Sequence, residues 1–157
     1  MEKTHCNTCN KKTTKQCGLC QAFTCNSCAH NIGKDYFAYL TNAPEDLQHG
    51  FYCNMCFVTN VESEYNAYNS ILERAKSVEV YFKKKHSKGV RMFKKAPKPI
   101  IMTDCADYDD MLLHMAFLAA KDNYNVIINA ETSVRKIHSG SYKSILWSGT
   151  ALPANKR

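Results

Sequence analysis

The chain has 157 residues, 45% of them apolar and 22% charged, with 21 Lys and Arg against 14 Asp and Glu for a formal net charge of +7. That length accommodates one domain or two small ones, and the composition is that of a globular protein rather than a disordered or fibrous one. No run approaches the roughly 18 apolar residues of a membrane-spanning helix, and the first twenty residues are polar and cysteine-bearing, unlike a signal peptide, so a cytoplasmic location is expected.

Eight of the nine cysteines fall into four CxxC pairs: Cys6 and Cys9, Cys17 and Cys20, Cys25 and Cys28, Cys53 and Cys56. Two thiols separated by two residues turn both sulfurs toward one ion, and two such pairs complete a tetrahedral thiolate shell. Eight thiols therefore make two sites. In a reducing compartment they read as metal ligands, whereas the alternative of four disulfides belongs to a secreted protein. The gaps between pairs are seven, four and twenty-four residues. Four residues are short for closing a site from consecutive pairs, which points to interleaving: Cys6, Cys9, Cys25 and Cys28 around one ion, Cys17, Cys20, Cys53 and Cys56 around the other. Four-thiolate sites in such a finger favour zinc over iron.

This order of CxxC, CxxC, four residues, CxxC, then a longer gap and CxxC resembles the FYVE-type zinc fingers over residues 6 to 56. The resemblance implies a small β-rich module with the same interleaving and two Zn2+ ions. It does not carry over that family's phosphoinositide binding. The basic motif before the third cysteine is replaced by Thr13, Thr14, Lys15 and Gln16, and Asn10 to Gln16 offers no apolar residue for lipid insertion. Membrane binding is therefore the least expected partnership. Residues 1 to 56 hold five lysines against four acids, and eight thiolates with two divalent ions subtract four more charges, leaving about −3. The loaded finger has no positive field of its own.

Between Cys28 and Cys53, Tyr36 and Phe37 stand beside turn residues. A finger this small buries little, so such rings complete its interior; the alternative is an exposed pair that grips a partner. Val61, Tyr65, Tyr68, Leu72 and Ala75 then recur at helical spacing, predicting a linker helix over about 59 to 77 whose stripe packs on the C-terminal domain. From Lys83 to Lys98 the sequence turns basic. Lys83, Lys84, Lys85, Lys88, Arg91, Lys94, Lys95 and Lys98 carry no intervening acid, with Phe82 and Phe93 at the flanks. Such a strip is either a solvated hairpin or a track for nucleic-acid phosphates with rings for base stacking.

The remainder reads as a strand from Pro99 to Thr103, a helix capped by Asp107 and running to about Asp122, and two strand-like runs joined across His138-Ser139-Gly140-Ser141 as an antiparallel hairpin. The helix is expected to bury Tyr108, Met111, Leu112, Met115, Leu118 and Ala119. With a strand over 78 to 85 the fold class is α+β, divided into a finger (1–57), a linker helix (58–77) and a small β-α-β-β domain (78–157). "YNVIINAETS" and "ILWSGTALP", through Asn125, Val126, Thr132, Gly149, Thr150 and Ala151, resemble the small bacterial YbjQ-like domains. That resemblance implies homo-oligomers and, joined to the finger, a bacterial or phage source. Cys105 sits where a strand meets a helix N-terminus, a place where a thiol is activated, although free cysteines are mostly buried and inert. Asp104, Asp107, Asp109 and Asp110 read as helix-capping acids before they read as ligands of a hard cation. The resulting expectation is a non-enzymatic adaptor that recruits a protein partner, with nucleic-acid binding through 83 to 98 as the alternative.

Overall fold

Two residues between cysteines leave room for one tight turn, and each of the first two pairs closes such a turn in the same way. Asn10 N–H donates to the Cys6 carbonyl (2.9 Å) and Gln21 N–H to the Cys17 carbonyl (3.1 Å), while Cys6 N–H and Cys17 N–H reach Lys11 and Ala22 carbonyls at 2.8 and 2.9 Å. The residue after each pair takes a left-handed backbone, φ 61° at Asn10 and 62° at Gln21. Asparagine tolerates that region well. The computed structural model describes residues 4–83 and 93–156, and within them the chain divides into two compact units, Met1–Asn69 and Ser70–Arg157.

The first unit carries two small antiparallel ladders: β1 (Thr4–His5) with β2 (Lys12–Thr13), and β3 (Ala29–Asn31) with β4 (Phe51–Cys53). Gly50 turns the chain into β4 with φ 78°, and a Cβ there would meet the Gly33 backbone at 2.5 Å, so only glycine fits. From Cys53 the chain is helical: a short turn α1 (Asn54–Cys56), a π-type turn over Phe57–Val61, then α2 (Glu62–Lys76). Helical conformation thus begins before the predicted residue 59. The reason is Cys53, whose sulfur accepts the Cys56 N–H at 3.5 Å and caps the first turn.

The predicted stripe is present, with Val61, Tyr68 and Ala75 buried. Its aromatic members pack on the finger: Tyr65 stacks on Tyr36 (5.0 Å between centroids) and meets Phe57 (5.6 Å), and Tyr68 meets Phe37 edge-on (5.1 Å). A module of this size cannot close a core by itself, so the helix leaving its last ligand supplies one. The linker helix accordingly does not stand apart as a third segment, since the division between units falls after Asn69, inside α2.

In the second unit the order is β5 (Glu79–Phe82), β6 (Phe93–Lys95), β7 (Ile100–Cys105), α3 (Tyr108–Lys121), β8 (Val126–Ser139) and β9 (Tyr142–Lys156). β8 and β9 form a hairpin with Ser139 opposite Tyr142, so the connection is the two residues Gly140 and Ser141, and Gly140 supplies φ 60°. β5 runs parallel to β8; β6 and β7 both lie antiparallel on the far side of β9. Strand β6 lies inside the basic segment, where alternation of apolar residues is too short to announce a strand. Asp107 caps α3 by accepting the Asp110 N–H at 2.7 Å. The helix buries Met111, Met115 and Ala119 against Ile127, Ala130 and Ala151 of the sheet. Ala116, Phe117 and Ala120 are buried too, while Leu118 is half-buried. The covered part of α3 is therefore wider than a single amphipathic stripe.

Candidate metal centres

The two knuckles, β3 and the β4–α1 junction bring the eight cysteines into two groups. Cys6, Cys9, Cys25 and Cys28 form one and Cys17, Cys20, Cys53 and Cys56 the other, with all four sulfurs of each group within 4.8 Å of one another. This is the interleaved assignment, first pair with third and second with fourth. Sulfurs from different pairs approach to 3.5 Å (Cys9, Cys25) and 3.8 Å (Cys20, Cys53). A tetrahedron with metal–sulfur bonds of about 2.3 Å has edges of about 3.8 Å, whereas a disulfide is about 2.05 Å. The spacing fits thiolates around an ion, and all nine cysteines are free thiols. Both groups share one burial pattern: the first and third cysteines buried, the second exposed, the fourth half-buried.

The thiols are tuned by what surrounds them. Backbone N–H groups of Cys25, Cys9 and Thr8 hold Cys6 down to about 6, and Cys17 falls to about 7 because the amides of Cys20, Cys53 and Leu19 outweigh its burial. Cys25 is lowered mainly by the Cys9 thiol. The remaining members move the other way: Cys28 is pushed up to about 12, chiefly by Cys9 and Cys25, while burial raises Cys53 and Cys56. Four thiolates cannot share so small a volume without a cation, so some protons stay until an ion displaces them. The spacing of cysteines names the ligands but not these backbone donors, of which Thr8 and Leu19 lie inside a pair while the others belong to the cysteines themselves, Cys25 and Cys53 reaching across from the facing pair.

The three neighbouring histidines lie outside both groups. His30 stacks on Phe57 at 4.0 Å and shares a hydrogen bond with Asn54 (3.0 Å), and His49 packs beside Tyr52 and Gly18. Lys15, the one basic residue of the four from Thr13 to Gln16, donates to Asn26 Oδ1 at 2.7 Å and lies over the Phe51 ring. Phe37 is 4% exposed and Tyr36 is half-buried, its hydroxyl donating to Asn69. The pair named as a gripping surface is therefore interior to the finger: helix α2 covers it.

Of the basic segment, Lys84, Lys85, Lys88 and Arg91 lie outside the described residues. Lys83 is paired with Glu131 at 2.9 Å. Lys94 and Lys95 are consecutive in β6 and so project from opposite faces, and Lys98 is exposed beyond the strand. The four described lysines do not line up as one strip.

Cys105 is half-buried, and its sulfur donates only a long contact to the Thr103 carbonyl (3.7 Å). Burial, then the Asp110 and Asp104 carboxylates, push its thiol up, the reverse of nucleophile activation. Asp104 pairs with Arg135 at 2.7 Å, and Asp107 serves as the cap. Among the described residues no helix is long and apolar enough to cross a membrane. No protein-family model, no curated protein and no solved structure matches the chain.

Proposed function

We propose that the protein is a two-zinc interaction module, a non-enzymatic adaptor whose metal-held finger and α/β unit present recognition surfaces to a protein partner. The observation that carries the reading is the pair of all-cysteine groups at tetrahedral spacing. Soft thiolates in a four-fold shell select zinc, and a closed shell with no open position builds structure rather than activating water. The resemblance to FYVE-type fingers supports the same reading, without that family's lipid site.

The test is elemental analysis and X-ray absorption of the freshly purified chain. Two zinc atoms per chain, each with four sulfurs at about 2.3 Å, are expected. Far less metal with residues 4–69 still folded ends the proposal. Nucleic-acid binding is the second reading, favoured by the exposure of Lys94, Lys95 and Lys98. Affinity for duplex DNA that stays flat as salt rises removes it, because phosphate contacts release counterions.

A further inference from the structure

The β8–β9 hairpin outruns the other described strands of its sheet. On one side β5 pairs with β8 only as far as Ala130, and on the other β7 pairs with β9 only as far as Trp147, opposite Val134. Beyond that point five cross-strand pairs, from Arg135 with Leu146 to Ser139 with Tyr142, continue without a third described strand. At about 3.4 Å per residue the arm projects roughly 15 Å.

None of the residues from Glu131 to Ser148 is buried. Yet the arm is not polar. Val134 is 50% exposed, Ile145 48% and Tyr142 72%, with Ile137 and Leu146 half-covered. A two-stranded ribbon is marginal in water unless something packs on it, and apolar residues grouped this way on a surface mark an interface.

The register sorts the arm into faces. Val134 and Trp147, then Lys136 and Ile145, then His138 and Lys143 share one face, so an apolar strip leads outward to cations at the tip. From Thr132 to the end of the sequence there is no acid. Among the described residues Lys136 and Lys143 are in no ion pair, whereas Arg135 is held by Asp104. Two uncommitted lysines are too few to follow a phosphate backbone, where tight binders neutralise about 6–10 charges. They are enough to rim an apolar contact, which is how protein interfaces are built.

We infer that the 134–147 face of this arm docks an acidic, apolar-sided segment of another protein, with the exposed Val134 and Ile145 as the contact, anchored at the base by Trp147, which packs on Tyr108, and Lys136 and Lys143 reading its carboxylates. The inference rests on the adaptor reading and names the surface that serves it. Opposite charges at the rim fix register and speed encounter, while the apolar strip holds the complex.

The experiment uses the full-length, metal-loaded chain, immobilised and panned against a random peptide library displayed on phage. Enriched peptides should combine Asp or Glu with apolar residues. Their affinity should fall by roughly tenfold or more in a Lys136→Glu/Lys143→Glu variant, and likewise in Ile145→Ser, with metal content and circular dichroism unchanged. A library that yields no acidic consensus overturns the inference, as does a consensus that binds the variants equally well. Arm-dependent binding of a 20-base-pair DNA duplex in place of peptides assigns the face to nucleic acid. A sedimentation coefficient of the free protein that drops in the variants assigns it to a second copy. A chain that keeps two metal ions but fails every peptide assay breaks this inference alone, whereas a chain that holds no metal breaks the adaptor reading first.

Discussion

The two units of this chain solve the same problem with different materials. Met1–Asn69 has two ladders of two or three residues each and holds its shape through eight sulfurs and a cluster of rings, Tyr36, Phe37, Phe57, Tyr65 and Tyr68. Ser70–Arg157 has long strands, one well-capped helix and an interior of methionine, isoleucine and alanine. A short chain with little strand or helix cannot recover its ordering entropy from apolar burial alone, and the two cysteine groups are placed so that metal–ligand bonds would supply the difference. Where the sheet is broad enough to lie under a helix, no ion is needed.

The strongest way to break this contrast is to strip the metal. Structural zinc sites are worth about 10–16 kcal/mol, so a chelator in reducing buffer should unfold the first unit while the second keeps its amide protection, as hydrogen exchange would show. Acid should act in the same direction. Cys6 and Cys17 are lowered from 9.0 to about 6 and about 7, so their contribution is complete above pH 9 and is lost as pH falls through those lowered values. Because a bound ion keeps its ligands deprotonated, metal release followed by absorption spectroscopy of a cobalt-substituted sample should set in below those values and leave the second unit intact.

Next in size is the mirror-image experiment. Met115 is fully buried against the sheet, and Met115→Ala should cost about 2–5 kcal/mol in the second unit, read by denaturant unfolding, with zinc content unchanged. A smaller effect sharpens the role of α3. Asp107→Ala removes the acceptor of the Asp110 N–H and should cost about 1 kcal/mol, whereas Asp107→Asn, which keeps an acceptor, should restore most of it.

The smallest effect concerns Glu79 and Lys156, joined at 2.6 Å but both about half exposed. The lysine lowers the carboxyl and the carboxyl raises the lysine. Their attraction is thus complete between about pH 4.5 and 10.5, lost as pH falls through the lowered carboxyl value or rises through the raised lysine value. Glu79→Gln should shift the melting temperature only slightly, and 1 M salt should erase the difference.

The ligands were legible because CxxC geometry is local: the spacing turns the sulfurs, while the short four-residue gap speaks only against closing one site from the second and third pairs, and the interleaving itself is visible in the two groups. The Asp107 cap and the Gly140-Ser141 turn were legible for the same reason. What escaped depends on distant partners. Periodicity shows that Tyr65 and Tyr68 share a face of α2 but not which surface meets it; the size of the finger already suggested an interior place for Tyr36 and Phe37, and the rings they pack on came from that helix. The early start of the helix escaped because Cys53 does two jobs. Phe117 lies off the expected stripe, so its burial follows from packing and not from pattern. The exposed arm was hidden too: alternation in "SVRKIH" and "SYKSILW" reads as sheet, and only the stopping points of β5 and β7 reveal that nothing described lies alongside.

Cys53 gives the second metal group a reach that the first lacks. The sulfur that would ligate an ion in that group also caps the opening turn of the longest helical stretch among the described residues, which continues to Lys76. Loss of such an ion, or oxidation of its thiolates, would loosen the sulfur's hold on the amide and fray the helix from its beginning. The first group, whose ligands all precede residue 29, has no such lever: a cell that poisoned one centre or the other would injure the protein in two different ways.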